Sequence, residues 1–151
     1  MNKKQTTERK ILTMKLEIFK FYKFTIFTIS GILILSLIKT PDIDIPINSF
    51  WIWIDKLVHF GMYAFLTFVF LWENFVRHKY HLLFNRLILI STMIIGLGII
   101  LELAQNYLTA YRYGDIHDEI ANFIGLIGGQ LGFRMTKNSL FLRNKIFREI
   151  T

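Results

Sequence analysis

Polar residues at helical spacing, set in apolar surroundings, are the part of this sequence that can do chemistry. Asp55, His59 and Tyr63 recur at four-residue intervals, and Lys56 stands beside the first of them. Residues four apart lie on one face of a helix, so a carboxylate, an imidazole and a phenol can meet a common partner. An imidazole near a carboxylate can accept or donate a proton close to neutral pH, which makes His59 a candidate for acid–base chemistry.

Two later groups follow the same rule. Glu102 and Gln105 are three residues apart, and Asp118 and Asn122 are four residues apart. Arg112 stands between these groups, and its planar fork of donors suits a phosphate or a carboxylate. The candidate ligand-binding residues are Asp55, Lys56, His59, Tyr63, Glu102, Gln105, Arg112, Asp115, Asp118 and Asn122.

Apolar helices must position these residues. Hydrophobic residues make up 53% of the 151 residues and charged residues only 19%, which is too much apolar surface for the interior of a small soluble domain. A helix crosses about 30 Å of hydrocarbon with roughly 20 apolar residues. The predicted spans are 21–38, 57–76, 87–108 and 117–135. The fourth has the shortest uncharged stretch, 120–133, so a full crossing and a re-entrant helix both remain open.

The distribution of Lys and Arg predicts the orientation of these spans. Fifteen of the 18 lie in the leader through Lys23, the turn 77–86 and the stretch from Arg134 onward, and three lie in the other loops. Positive charge concentrates on the cytoplasmic side of membrane proteins, where anionic headgroups attract it. We therefore predict an all-α, polytopic four-helix transmembrane bundle with cytoplasmic N- and C-termini, and no nucleic-acid partner.

The predicted organisation has three parts. Residues 1–20 form a basic cytoplasmic leader, which is either a helix on the membrane surface or a flexible segment. Residues 21–136 form the four-span domain, and residues 137–151 form a basic cytoplasmic tail.

This topology places all three polar groups near the outward side. Glu102 follows Leu87 by 15 residues, which puts it roughly 22 Å into a hydrocarbon core of about 30 Å. A bare carboxylate at that depth is costly, so Glu102 is expected to face the bundle interior and to have a partner. Three polar helix faces at one depth predict a pocket that opens outward.

Simpler roles explain some of these residues equally well. Asp55 can cap the second span, and Asp115 with Asp118 resembles a capping box. Glu73 and Arg77, four residues apart, suit an interfacial ion pair. The chain has no cysteine, and His117 among the aspartates lacks a recognised ligand spacing, so neither a metal nor a cofactor is assigned.

The polar groups together form a composite motif. It reads Asp55-Lys56-x-x-His59-Phe60-x-x-Tyr63, then Glu102-x-x-Gln105, then Arg112, then Asp115-x-x-Asp118-x-x-x-Asn122-x-x-Gly125-x-x-x-Gly129. This motif resembles the signature of the VanZ-like family of integral membrane proteins, over about residues 21–135. The resemblance implies a multi-pass protein of the bacterial cytoplasmic membrane. The founding member of the family is associated with resistance to the glycopeptide teicoplanin.

Three functions are compatible with this pattern. The favoured one is a pocket that binds or modulates a lipid-linked cell-wall precursor or another amphipathic ligand from the cell envelope. The second is an intramembrane enzyme acting on a lipid headgroup, with His59 as base or nucleophile and Glu102 or Asp118 as its orienting acid. The third is a polar cluster that only locks the helices together. The bilayer is the expected partner in each case, and the oligomeric state stays open.

The charge distribution predicts which loops an external reagent reaches. Because the native chain has no cysteine, single replacements can be labelled in intact cells with an impermeant maleimide. Asn48→Cys and Thr109→Cys should react from outside, whereas Lys79→Cys should react only after the cells are permeabilised. External labelling of Lys79→Cys would contradict the orientation.

Overall fold

The computed structural model describes the backbone of residues 3–37, 49–108 and 115–150, and the side chains of residues 5, 7–14, 16–37, 53–107 and 115–140. These ranges contain helices and short turns and no strand, so the all-α prediction is confirmed for them. The helices are α1 (Lys3–Phe21), α2 (Lys23–Leu37), α3 (Ser49–Arg77), α4 (Phe84–Leu108) and α5 (Ile116–Ile150).

Two of these helices are long and apolar enough to cross a membrane. The qualifying segments are Trp53–Arg77 of α3 and Phe84–Tyr107 of α4. The pair α1–α2, bent by 74° at its junction, adds a third if it counts as one broken span. The composition of the described helices therefore supports a membrane protein with two or three apolar spans.

Several helix boundaries differ from the sequence-based expectation. The leader is helical, because α1 covers most of residues 1–20. Helix α3 begins at Ser49, ahead of the predicted start at Leu57. Helix α5 runs unbroken for 35 residues to Ile150, so no helix end marks the expected boundary between the membrane domain and the tail. The predicted outward loops lie largely outside the described residues.

Glycines on α5 let its backbone touch that of α3. A Cβ on Gly125 would overlap the carbonyl oxygen of Phe60, and a Cβ on Gly129 would overlap that of Ala64. Helices in membranes pack by close van der Waals contact, and residues without a side chain permit the closest approach. These glycines therefore make α3 and α5 the closely packed pair of the bundle.

The contacts between the helices give their relative directions. Lys56 contacts Asp118 at one end of the α3–α5 pair, and Trp72 packs edge-on against Phe133 near the other, so the two helices run parallel. Helix α4 runs antiparallel to both. The carboxylate of Glu102 accepts a hydrogen bond from the backbone amide of Asp115, just before α5. The hydroxyl of Ser91, earlier in α4, accepts a hydrogen bond from the side chain of Gln130, farther along α5. The polar ends of α3, α4 and α5 therefore meet at one end of the bundle.

A carboxylate holds α2 at the opposite end. Glu73 of α3 accepts hydrogen bonds from the backbone amides of Phe24 and Thr25, both at 3.0 Å, and from the Thr25 hydroxyl at 2.7 Å. The first amides of a helix have no partner within it, and an acceptor there satisfies them. The prediction of an ion pair between Glu73 and Arg77 is wrong, since the Arg77 guanidinium lies over the ring of Tyr22 instead, 5.0 Å from its centroid.

Gly129→Ala should destabilise the bundle, because its methyl group would force the backbones of α3 and α5 apart. We expect a loss of about 1–3 kcal/mol in the free energy of unfolding, typical of overpacking a tight contact. Gly96→Ala is the matched control, since nothing lies within 4 Å of a Cβ at that position. Thermal midpoints in mild detergent measure both, and equal midpoints for the two variants would contradict the packing argument.

Candidate ligand-binding site

Eight polar residues, seven from α3, α4 and α5 and one from the position just before α5, meet at the end of the bundle where α3 and α5 begin. We call them the polar cluster. Its members are Asp55, Lys56, His59, Glu102, Asp115, Asp118, Glu119 and Asn122. Seven of them belong to the residues nominated from the sequence, and Glu119 does not.

Lys56 lies between the three aspartates of the polar cluster and contacts all of them. Its Nζ donates to Asp115 Oδ2 at 2.7 Å and to Asp118 Oδ1, and it lies 3.6 Å from Asp55 Oδ2. The Asp118 side chain is only 6% exposed, so its charge needs a close counter-charge to be stable there. Lys56 supplies it, and this engagement leaves the ammonium poorly placed to bind an external anion.

Asp115 also caps the start of α5. Its Oδ1 accepts from the backbone amide of His117 at 2.9 Å and contacts His117 Nδ1 at 2.8 Å. The hydrogen bond from Lys56, followed by those from His117, holds the pKa of Asp115 well below its usual range. The stability that Asp115 contributes is therefore present above the ordinary carboxyl pKa and is lost as the pH falls toward the folded-state value.

His59 is held in one orientation by Asn122. Its Nδ1 lies 3.1 Å from Asn122 Oδ1. An amide oxygen can only accept, so Nδ1 carries the proton and Nε2 carries a lone pair in the neutral ring. Nε2 lies 3.8 Å from Asp118 Oδ2, and the His59 side chain is only 5% exposed. The ring is thus positioned to accept a proton, or to coordinate a cation, through Nε2.

Two glutamates connect α4 and α5. Glu102 of α4 contacts the residue just before α5, and Glu119 of α5 contacts α4. Glu102 accepts the backbone amide of Asp115 at 2.9 Å. The Glu119 carboxylate accepts from Asn122 Nδ2 at 3.1 Å and lies against Gly98 of α4. Glu119 was not predicted from the sequence, because it does not share the four-residue spacing that relates Asp118 to Asn122. Its position three residues before Asn122 was the available signal.

The Tyr63 hydroxyl is buried and has no hydrogen-bond partner among the described residues. The residue is only 2% exposed. A buried hydroxyl that lacks a partner costs free energy, and such groups in native proteins call for an explanation. A hydrogen bond to a ligand at the site would satisfy it.

Other residues expected at the site have different positions. Gln105 donates to the Ser36 carbonyl oxygen at 3.0 Å and so links α4 to α2. Arg112 lies outside the described residues.

A groove between α4 and α5 reaches the polar cluster. It encloses about 230 Å³ and is lined by Glu102, Asp115, Glu119, Asn106 and apolar residues. The apolar part comes from Ile99, Leu103 and Ile116. A groove lined by both apolar side chains and carboxylates suits a ligand that has an apolar body and a hydrogen-bond-donating or cationic end.

Three cluster residues have the geometry to hold a metal ion. One ligand atom from each of Asp55, His59 and Asp118 lies within 4.8 Å of the others. A hydrogen bond from the non-coordinating nitrogen, as His59 makes to Asn122, is common for metal-bound histidines. The Lys56 ammonium beside Asp118 would compete with a cation for that carboxylate.

Comparison of this chain with protein-family models, with curated proteins and with solved structures gives no match.

Lys56→Gln should destabilise the protein, because it leaves buried Asp118 without its counter-charge. Breaking a buried ion pair typically costs about 3–5 kcal/mol, and Asp118→Asn in the same chain should restore much of the loss. Thermal midpoints of both single variants and the double variant complete the cycle. Lys10→Gln on exposed α1 is the control. If Lys56→Gln lowers the thermal midpoint equally with and without Asp118→Asn, the ion pair does not contribute to stability.

Proposed function

We propose that this chain is a VanZ-like membrane protein whose polar cluster binds the headgroup of a lipid-linked or other amphipathic cell-envelope ligand. In this proposal α2 to α5 provide four spans, and both termini face the cytoplasm. The cluster then lies near the outward face of the bacterial cytoplasmic membrane. The family resemblance further suggests a role in resistance to teicoplanin-type glycopeptides.

The direction of the helices supports this placement. The end of α3 that carries Arg77 and the start of α4 that carries Arg86 lie away from the polar cluster. Basic residues mark the cytoplasmic side of membrane proteins. The opposite end, with Glu102 and Asp118, is then the outward one.

The groove that joins Glu102 and Glu119 is the observation that carries the proposal. Five carboxylates belong to the cluster, and Lys56 is the one lysine or arginine among its eight members. Among the described residues, the carboxylates of the cluster outnumber its lysines and arginines, and an excess of negative charge in a low-dielectric region favours binding of a cation or of several hydrogen-bond donors. We therefore expect the ligand to present an amine or hydroxyl groups to the groove, while its apolar part lies along Ile99 and Leu103.

One observation favours catalysis as a second candidate. Asn122 fixes the His59 tautomer so that Nε2 can accept a proton beside Asp118. A general base needs this orientation. An enzyme of this kind would lose turnover of a headgroup substrate in His59→Gln and keep its ligand-free midpoint.

Ligands with a free amine should stabilise the purified protein, and their N-acetylated forms should not. The panel consists of an amine-bearing lipid-linked cell-wall precursor, teicoplanin and phosphatidylethanolamine, each with its acetylated counterpart. A ligand at a hundredfold excess over its Kd stabilises by about 2.7 kcal/mol, which differential scanning in mild detergent resolves.

Glu119→Gln and Glu102→Gln should abolish that shift, because each removes a negative charge from the groove. Glu8→Gln, on exposed α1, is the matched control and should keep it. If no panel member shifts the wild-type midpoint, and both groove variants lower the ligand-free midpoint sharply, the cluster is a structural clamp and the binding proposal is wrong.

A further inference from the structure

A second groove lies at the opposite end of the bundle, between α2, α3 and α4. It encloses about 560 Å³ and has apolar walls that include Ile26, Ile29 and Met93. Its polar lining consists of Tyr22, Thr25, Asn74, Arg77, His78 and Arg86. We call it the basic groove. None of these residues takes part in the polar cluster.

The two arginines of the basic groove are available to an anion. Neither Arg77 nor Arg86 has an acidic partner within 4 Å among the residues whose side chains are described. The nearby carboxylate of Glu73 is occupied by the amides and hydroxyl at the start of α2. The Arg77 guanidinium is held over the rings of Phe21 and Tyr22, at 5.6 and 5.0 Å from their centroids.

Asn74 adds a polar atom that lacks a partner among the described residues. The residue is 8% exposed, its Nδ2 donates to the Tyr22 hydroxyl at 3.0 Å, and no described group pairs with its Oδ1. A phenol can both donate and accept, so one amide atom of Asn74 stays unpaired in either orientation of the amide. A hydroxyl group from a ligand could pair with that atom in both cases.

The surroundings select the kind of occupant. The groove combines the apolar walls of α2, α3 and α4 with two arginines, at the end of α3 and the start of α4, that have no acidic partner among the described side chains. Basic pockets between transmembrane helices on the cytoplasmic side bind anionic lipid headgroups. The orphan amide of Asn74 further favours a headgroup that carries free hydroxyls.

We propose that the basic groove is a specific site for phosphatidylglycerol, with the phosphate between Arg77 and Arg86, a glycerol hydroxyl on Asn74 and an acyl chain along Ile26, Ile29 and Met93. Phosphatidic acid has the anionic phosphate without the headgroup hydroxyls, and phosphatidylcholine has no net charge. The order of affinity is therefore phosphatidylglycerol, then phosphatidic acid, then phosphatidylcholine.

Native mass spectrometry of the full-length protein in mild detergent, titrated with each of these three lipids, tests the proposal. Wild-type protein should bind one copy of phosphatidylglycerol more tightly than either other lipid. Arg86→Gln should weaken that binding about tenfold, the effect expected for loss of one charge-assisted hydrogen bond. Asn74→Leu should remove the preference for phosphatidylglycerol over phosphatidic acid and keep the preference for both over phosphatidylcholine.

Arg134→Gln is the matched control. Arg134 is an exposed arginine next to Phe133, which packs on Phe75 of α3, so it lies near the same end of the bundle but outside the groove. It should change the affinity less than twofold. An equal loss in Arg134→Gln and Arg86→Gln, or equal affinity for phosphatidylcholine and phosphatidylglycerol, would show nonspecific attraction and overturn the proposal. Glu119→Gln should not affect this binding, so the result is independent of the polar cluster.

Discussion

The backbone contact between α3 and α5 is the constraint on which the rest of the structure depends. Gly125 and Gly129 have no side chain, so the carbonyl groups of Phe60 and Ala64 can lie directly against α5. The two helices run parallel, and this contact fixes their register beside the polar cluster, since Phe60 directly follows His59. Because membrane helices gain little from hydrophobic association with one another, such close packing carries much of their specificity. The relative positions of the polar side chains on α3 and α5 follow from it.

One consequence is a concentration of carboxylates at one end of the bundle, where Lys56 is the one lysine or arginine among the eight members of the polar cluster. Lys56 compensates Asp118, and Asn122 orients both His59 and Glu119. Like charges placed close together are unfavourable, as is a buried hydroxyl such as that of Tyr63, which has no hydrogen-bond partner among the described residues. Proteins tolerate such local conflicts mainly at functional sites, where a ligand relieves them. The proposal that the polar cluster binds a ligand depends on these unfavourable features more than on the residue types alone.

Carboxylates also connect the helices at both ends. Glu73 accepts the first amides of α2, and Glu102 accepts the amide of Asp115 just before α5. A helix start provides unpaired N–H groups and a partial positive charge, which makes an acidic side chain from a neighbouring helix an effective anchor. The bundle therefore uses the same interaction at opposite ends, with an acidic groove near one anchor and a basic groove near the other.

The sequence by itself determined the helical class, the apolar runs and the helix face that each polar group occupies, because these depend on composition and on a periodicity of 3.6 residues. It also placed His59, Asp118 and Asn122 in one candidate site. The tertiary structure decided which faces meet. Glu73 was expected to pair along its own helix but caps α2, and Glu119, which the spacing did not single out, faces Gly98. A helical period fixes the direction of a side chain from its own axis, whereas its partner depends on the register and distance of a neighbouring helix, which only packing sets.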